Sequence, residues 1–164
     1  MSALLSGSIF AQEARAESAT NVASARVIQG DIEIFEDRPL SFGTMSVGTQ
    51  GGTVVISAAH PRGVASGDVV LVVDSGRRAV FKKNSESGLG LFANRLRNFN
   101  IYVQDTVTLV SGANSMLADL DDLTNGTTGS DAAASFEVGG TLYINPLQPQ
   151  GVYQSTYVVL AEWE

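Results

Sequence analysis

The sequence predicts an all-β sandwich, and three observations carry that prediction. Seventeen glycines (Gly 17) punctuate apolar runs rich in Val, Ile, Thr, Phe and Tyr, the composition of a strand-and-turn protein. The runs are short and recur at close spacing along the chain, as in two packed sheets rather than alternating strands and helices. The third observation is the carboxy-terminal stretch 151–164, where Tyr153, Tyr157, Val159, Ala161 and Trp163 share one parity. Successive side chains of a strand point to opposite faces, so these five define one face. The other parity holds Gln154, Thr156 and Glu162 with the apolar Val158 and Leu160. A length of 164 residues suits one domain that buries roughly 70% of its unfolded surface.

The elements follow in order. Residues 22–36 alternate around Gly30, as one interrupted strand or two. Leu40 and Phe42 share a face of a short strand that follows Pro39. Gly51-Gly52 reads as a turn, and 53–57 as the next strand. A loop is expected over 61–67, then an apolar run at 68–74 that reads as a fully buried strand. Ser75-Gly76 turns into a strand at 78–83. Two more strands, 99–104 and 106–110, flank Asp105. Residues 115–123 alternate only loosely, with Met116, Ala118 and Leu120 against Leu117, Asp119 and Asp121. A polar loop over 125–131 precedes the strands at 135–145 and 152–163.

Composition and motifs narrow the function. Asp and Glu total 17 against 10 Lys and Arg, a net charge of −7. That balance argues against sequence-independent nucleic-acid binding, which works by neutralising phosphates. With Cys 0 and His 1, thiolate chemistry, disulfides and His-cluster metal sites are excluded. His60 stands beside Pro61 in a loop, and no nucleophile elbow accompanies it. Residues 87–90 are glycine-rich, but neither GKS nor GKT follows, so they do not form a phosphate loop. No catalytic residue and no cofactor is expected. Asp119, Asp121 and Asp122, with Asn125, Thr127 and Asp131 nearby, are a calcium candidate by oxygen density alone, because their spacing is not that of an EF-hand. The basic residues Arg77, Arg78, Lys82, Lys83, Arg95 and Arg97 read as solvated strand ends; the alternative is contact with an acidic polysaccharide or a neighbouring acidic segment.

Leu40-Ser41-Phe42-Gly43-Thr44, Gly52-Thr53-Val54-Val55-Ile56-Ser57, Gly139-Gly140-Thr141-Leu142 and Gly151-x-Tyr153 occur in that order. In this combination the chain resembles the DUF4402 family, which is similar to the spore-coat-protein-U and chaperone–usher pilin group. The likeness covers most of 22–164. It implies an immunoglobulin-like sandwich, expected to hold about seven to nine strands, a surface or fimbrial role and no catalytic residues. Pilins assembled by donor-strand exchange end in a strand with a glycine fourteenth from the end and an aromatic residue next to last. Gly151 and Trp163 hold those places, and Tyr157, Val159 and Ala161 fill the alternating positions between. The resemblance implies a groove beside this strand that takes a strand from another molecule, by main-chain hydrogen bonds and side-chain knobs. Head-to-tail use of groove and donor builds an open filament.

The expected organisation has three parts. Residues 1–16 are an export-signal remnant or an N-terminal arm, with Ala14-Arg15-Ala16 as the small-x-small site. Residues 17–30 are the candidate donor strand, and 31–164 the sandwich. Ala23, Ala25 and Val27 form the favoured donor face, because the opposite face would bury Arg26; the alternative is an ordinary first strand of a complete sandwich. The expected function is a non-enzymatic subunit of a bacterial surface fibre, exported through the periplasm. Its expected partners are copies of itself, a periplasmic chaperone and an usher, with no nucleic acid and no membrane span. The alternative is a self-complete secreted domain that binds a carbohydrate or a protein.

Overall fold

The computed structural model describes residues 19–27, 34–72, 75–83, 99–123, 127–128 and 135–163. They form strands β1 (Ala19–Val27), β2 (Ile34–Arg38), β3 (Leu40–Ile56), β4 (Val64–Leu71), β5 (Ala79–Lys83) and β6 (Phe99–Val103). The remainder are β7 (Thr106–Ser111), β8 (Asn114–Asp122), β9 (Thr127–Thr128), β10 (Ser135–Ile144) and β11 (Tyr153–Trp163). The architecture is all-β and sandwich-like, as expected. The strands number eleven among the described residues, more than the seven to nine expected. The five-residue β2 and the two-residue β9 are too short for alternation to announce them.

The hydrogen-bonded order is β2-β5-β10-β8-β7-β11-β1-β3-β4, and β3 also pairs with β10. The path therefore returns on itself through β10, β8, β7, β11, β1 and β3. In that ring β1 is the link between β11 and β3. It runs parallel to β11 and antiparallel to β3; the other ladders are antiparallel.

β3 is one continuous strand where two strands and a turn were expected. Its first part pairs with β1 and its last part, from Gly52, with β10. Gly51-Gly52 is the bend between them. Gly51 has φ 68, and the β3–β4 register shifts between Val47 and Gly52. A glycine in a strand interior serves such a bulge or a close backbone approach. Here it serves both, because a Cβ on Gly51 would run into the carbonyl of Ile144. Gly51→Ala is expected to destabilise the protein by about 1–3 kcal/mol, read as a lower denaturant midpoint with an unchanged slope.

The run at 68–74 is not a fully buried strand. β4 begins earlier, at Val64, inside the expected loop, and alternates: Val69 is buried while Val70 is 65% exposed. β4 lies at the end of the strand order and pairs only with β3 among the described residues. β8 alternates more cleanly than its sequence suggests, with Met116, Ala118 and Leu120 buried and Leu117 and Asp121 exposed.

The core joins Leu40, Phe42 and Val54 of β3 to Phe81 of β5, Phe136 and Leu142 of β10 and Tyr153, Tyr157 and Val159 of β11. Phe81 and Phe136 stack with centroids 4.7 Å apart, and Tyr157 meets Phe81 edge-on at 6.4 Å. Such aromatic pairs contribute roughly 0.5–1.5 kcal/mol beyond the area they bury.

Candidate functional site

The expected functional strand, β11, is held at its start by local chemistry. A side chain at Gly151 would collide with the Ser111 hydroxyl at the β7–β8 turn, so glycine is required there for space. The Tyr153 hydroxyl donates to the Pro149 carbonyl at 2.6 Å and accepts from Gln148 Nε2 at 2.9 Å. Tyr153, Tyr157 and Val159 are then fully buried, Ala161 is nearly so, and Gln154 and Thr156 face outward. This is the parity read from the sequence. The side chain of Trp163 lies outside the described residues.

The rim of β11 is not open. Residues 153–159 pair in parallel with 21–27 of the same chain, in seven consecutive register pairs. Ala23 stands opposite Ser155, Ala25 opposite Tyr157 and Val27 opposite Val159. The expected donor face and the expected acceptor positions thus meet, but within one polypeptide. The expectation of a groove left vacant beside the last strand is corrected. Strand β1 lies between β11 and β3, with Ala23 completely buried and in register with Leu40 on one side and Ser155 on the other. The side chains of Ala25 and Val27 lie outside the described residues.

The proposed interface set is also divided. Ala161 and Trp163 oppose Ile101 and Phe99 of β6, not β1. β6 lies on the flank of β11 opposite β1, since Val159 pairs with both Val27 and Val103, and its ladder ends at Gln104, whose main-chain N–H donates to the Val158 carbonyl at 2.9 Å while its side-chain oxygen accepts from Val158 N at 3.1 Å. On that same flank, opposite β1, β11 makes a single register pair with β7, Gln154 with Val110. The ladder opens there into a cleft lined by Val22, Val110, Gln154, Ser155 and Thr156.

Sequence reasoning missed Glu36. The Tyr157 hydroxyl is buried beside it, close enough to feel the carboxylate yet outside hydrogen-bond geometry. Burial first, and the Glu36 charge second, push the Tyr157 pKa far above its ordinary 10.0. A folded-state pKa raised in this way contributes stability that is complete below about pH 10 and lost as pH climbs beyond it. Tyr157→Phe removes the hydroxyl beside Glu36 while keeping the buried ring, so its cost at neutral pH is expected not to exceed that of one hydrogen bond, about 0.5–1.5 kcal/mol. Above pH 10 the variant is expected to lose stability less steeply than the parent, as measured by denaturant midpoints across an alkaline series.

The other candidates disperse. Asp119, Asp121 and Asp122 lie along β8, where Asp119 accepts from the Tyr143 hydroxyl at 2.8 Å. Among the described residues no group of three or more His, Asp or Glu side chains gathers for a metal; Asn125 and Asp131 lie outside them. Arg78 pairs with Glu137 at 2.9 Å and Lys82 with Asp37 at 3.0 Å. These are solvated cross-strand pairs within the sheet, worth about 0–1 kcal/mol each. Arg95 and Arg97 lie outside the described residues. His60 is exposed in a turn with Ser57. Among the described residues no helix is long and apolar enough to cross a membrane.

A family model described as a domain of unknown function, DUF4402, matches residues 32–163. The chain belongs to the DUF4402 family. No curated protein and no solved structure matches it. The DUF4402 match takes in β2 through β11 and begins after β1. The strand that closes the ring thus stands outside the matched segment.

Proposed function

We propose that this DUF4402 protein is a non-enzymatic structural subunit of a bacterial surface fibre, in which β1 of one subunit completes the next. The observation that carries this reading is the register of the seam: the small-residue face of β1 aligns with Tyr157 and Val159 over seven consecutive pairs. Donor and acceptor are therefore complementary, and the same contacts serve a neighbour if β1 leaves its own chain. Exchange of an identical element between copies is a low-cost route to assembly, and head-to-tail exchange leaves a filament open. Two features support a separable β1. The family match begins beyond it. Its pairing with β11 is parallel, and parallel ladders are slightly less stable per residue than antiparallel ones.

Export through the periplasm, with a chaperone that shields the seam and an usher that orders exchange, follows from the same reading. Native surface material is expected to show filaments by electron microscopy and ladders that resist heat and SDS. Surface material that runs only as monomer, with no filaments, contradicts the fibre.

A second reading is favoured by the intrachain pairing itself. A ring closed by its own β1 describes a self-complete secreted domain that binds a carbohydrate or a protein. Such a domain is monomeric at every concentration and refolds alone.

A further inference from the structure

On the outward face of β10, β8 and β7 stands Tyr143, an aromatic ring 42% exposed. Leu117, 46% exposed, is its register partner on β8, and Thr141 pairs with Asp119 in the next row. Thr106 of β7 continues that row, and Thr53 of β3 flanks Tyr143 on the other side. The ring is anchored at its hydroxyl. Its hydroxyl donates to Asp119 Oδ2 at 2.8 Å. That hydrogen bond, then the charges of Asp119 and Asp121, raise the tyrosine pKa and keep the proton in place.

We propose that this face binds a neutral saccharide, with a pyranose ring lying on Tyr143 and its hydroxyls reaching Asp119 and Thr141. A sugar presents an apolar C–H face and a hydroxyl rim. The site presents the complement, an aromatic face and Leu117 beside a carboxylate and a threonine hydroxyl. A carboxylate accepts several hydrogen bonds, and Tyr143 takes one of those of Asp119. A ring already anchored loses little freedom on binding, which is how preorganisation raises affinity. Asp119 and Asp121, in a chain of net charge −7, repel acidic sugars and select neutral ones. None of these residues lines the β1–β11 seam, so the proposal does not depend on fibre formation.

The test is an NMR titration of the isotope-labelled full chain with cello-, manno-, galacto- and chito-oligosaccharides in turn. At least one is expected to give saturable shifts centred on residues 117, 119, 141 and 143. Tyr143→Ala is expected to weaken that binding by roughly tenfold or more, a loss of the size seen when a stacking ring is removed. Tyr143→Phe, which keeps the ring but frees it from Asp119, is expected to weaken it less. An unchanged melting temperature and unchanged shifts elsewhere show that the fold is intact. The proposal is overturned if none of the four sugars gives saturable shifts at these residues. It is equally overturned if Tyr143→Ala binds as well as the parent, if hyaluronate binds in their place, or if Tyr143→Ala changes only the chain's self-association.

Discussion

A chain lacking residues 17–28 is expected to lose its independent fold, and a synthetic peptide of those residues, added to it, to restore that fold. The reason is topological. β1 links β11 to β3 in the ring of six strands. Without it, the seven β11 residues from Tyr153 to Val159 and the Leu40–Met45 part of β3 lose their partners. Each orphaned main-chain group that stays buried costs about 1–3 kcal/mol, and a domain of this size is stable by only about 5–15 kcal/mol in total. The truncated chain is therefore expected to be unfolded or aggregated, since exposed edges recruit other chains. Circular dichroism and size exclusion report its state, and recovery of a cooperative melt with peptide reports repair. A truncated chain that folds as a monomer without peptide would show that β1 is an appendage.

Tyr157→Ala is expected to be the most damaging single substitution at the seam, costing about 3–5 kcal/mol. Tyr157 is completely buried, sits opposite Ala25 in the β1 ladder and packs edge-on against Phe81. Alanine at 157 leaves a cavity beside Phe81. The equilibrium denaturation midpoint is expected to fall by a large part of its value. The same substitution is expected to lower resistance of any polymer to SDS, because its effect acts through the groove whichever chain supplies β1. A variant as stable as the parent would mean that the Tyr157 ring contributes nothing to holding the seam.

How much of this was legible in the sequence depended on side-chain alternation. The face of β11 was readable because Tyr153, Tyr157, Val159 and Ala161 share one parity while Gln154 and Thr156 mark the other as outward, and all four are buried. Leu40 and Phe42 were readable for the same reason. The long β3 was not. Its Gly51-Gly52 pair has the chemistry of a turn, and nothing local distinguishes a turn from a bulge that bends one strand from one partner to another. β4 was misread because the five apolar residues 69–73 resemble a doubly covered strand, while which face is covered depends on packing that a local run does not encode. Donor and acceptor faces were each visible, but that they meet within one chain is a matter of long-range register, which alternation does not encode. Glu36 stands beside Asp37 and Arg38 in β2, so its charge does not set it apart. The Tyr143–Asp119 pair spans two strands diagonally, and neither residue stands out alone.

The central claim is that β1 must leave its own β11 for copies to assemble. The chain has no native cysteine, so a single engineered disulfide can lock that step. Ala23 and Ser155 are register partners, and neighbouring strands lie about 4.8 Å apart, within reach of a disulfide. Chains carrying Ala23→Cys and Ser155→Cys should stay folded and monomeric when oxidised and form SDS-resistant filaments once reduced. Filaments from the oxidised chain, or none from the reduced one, would contradict the account.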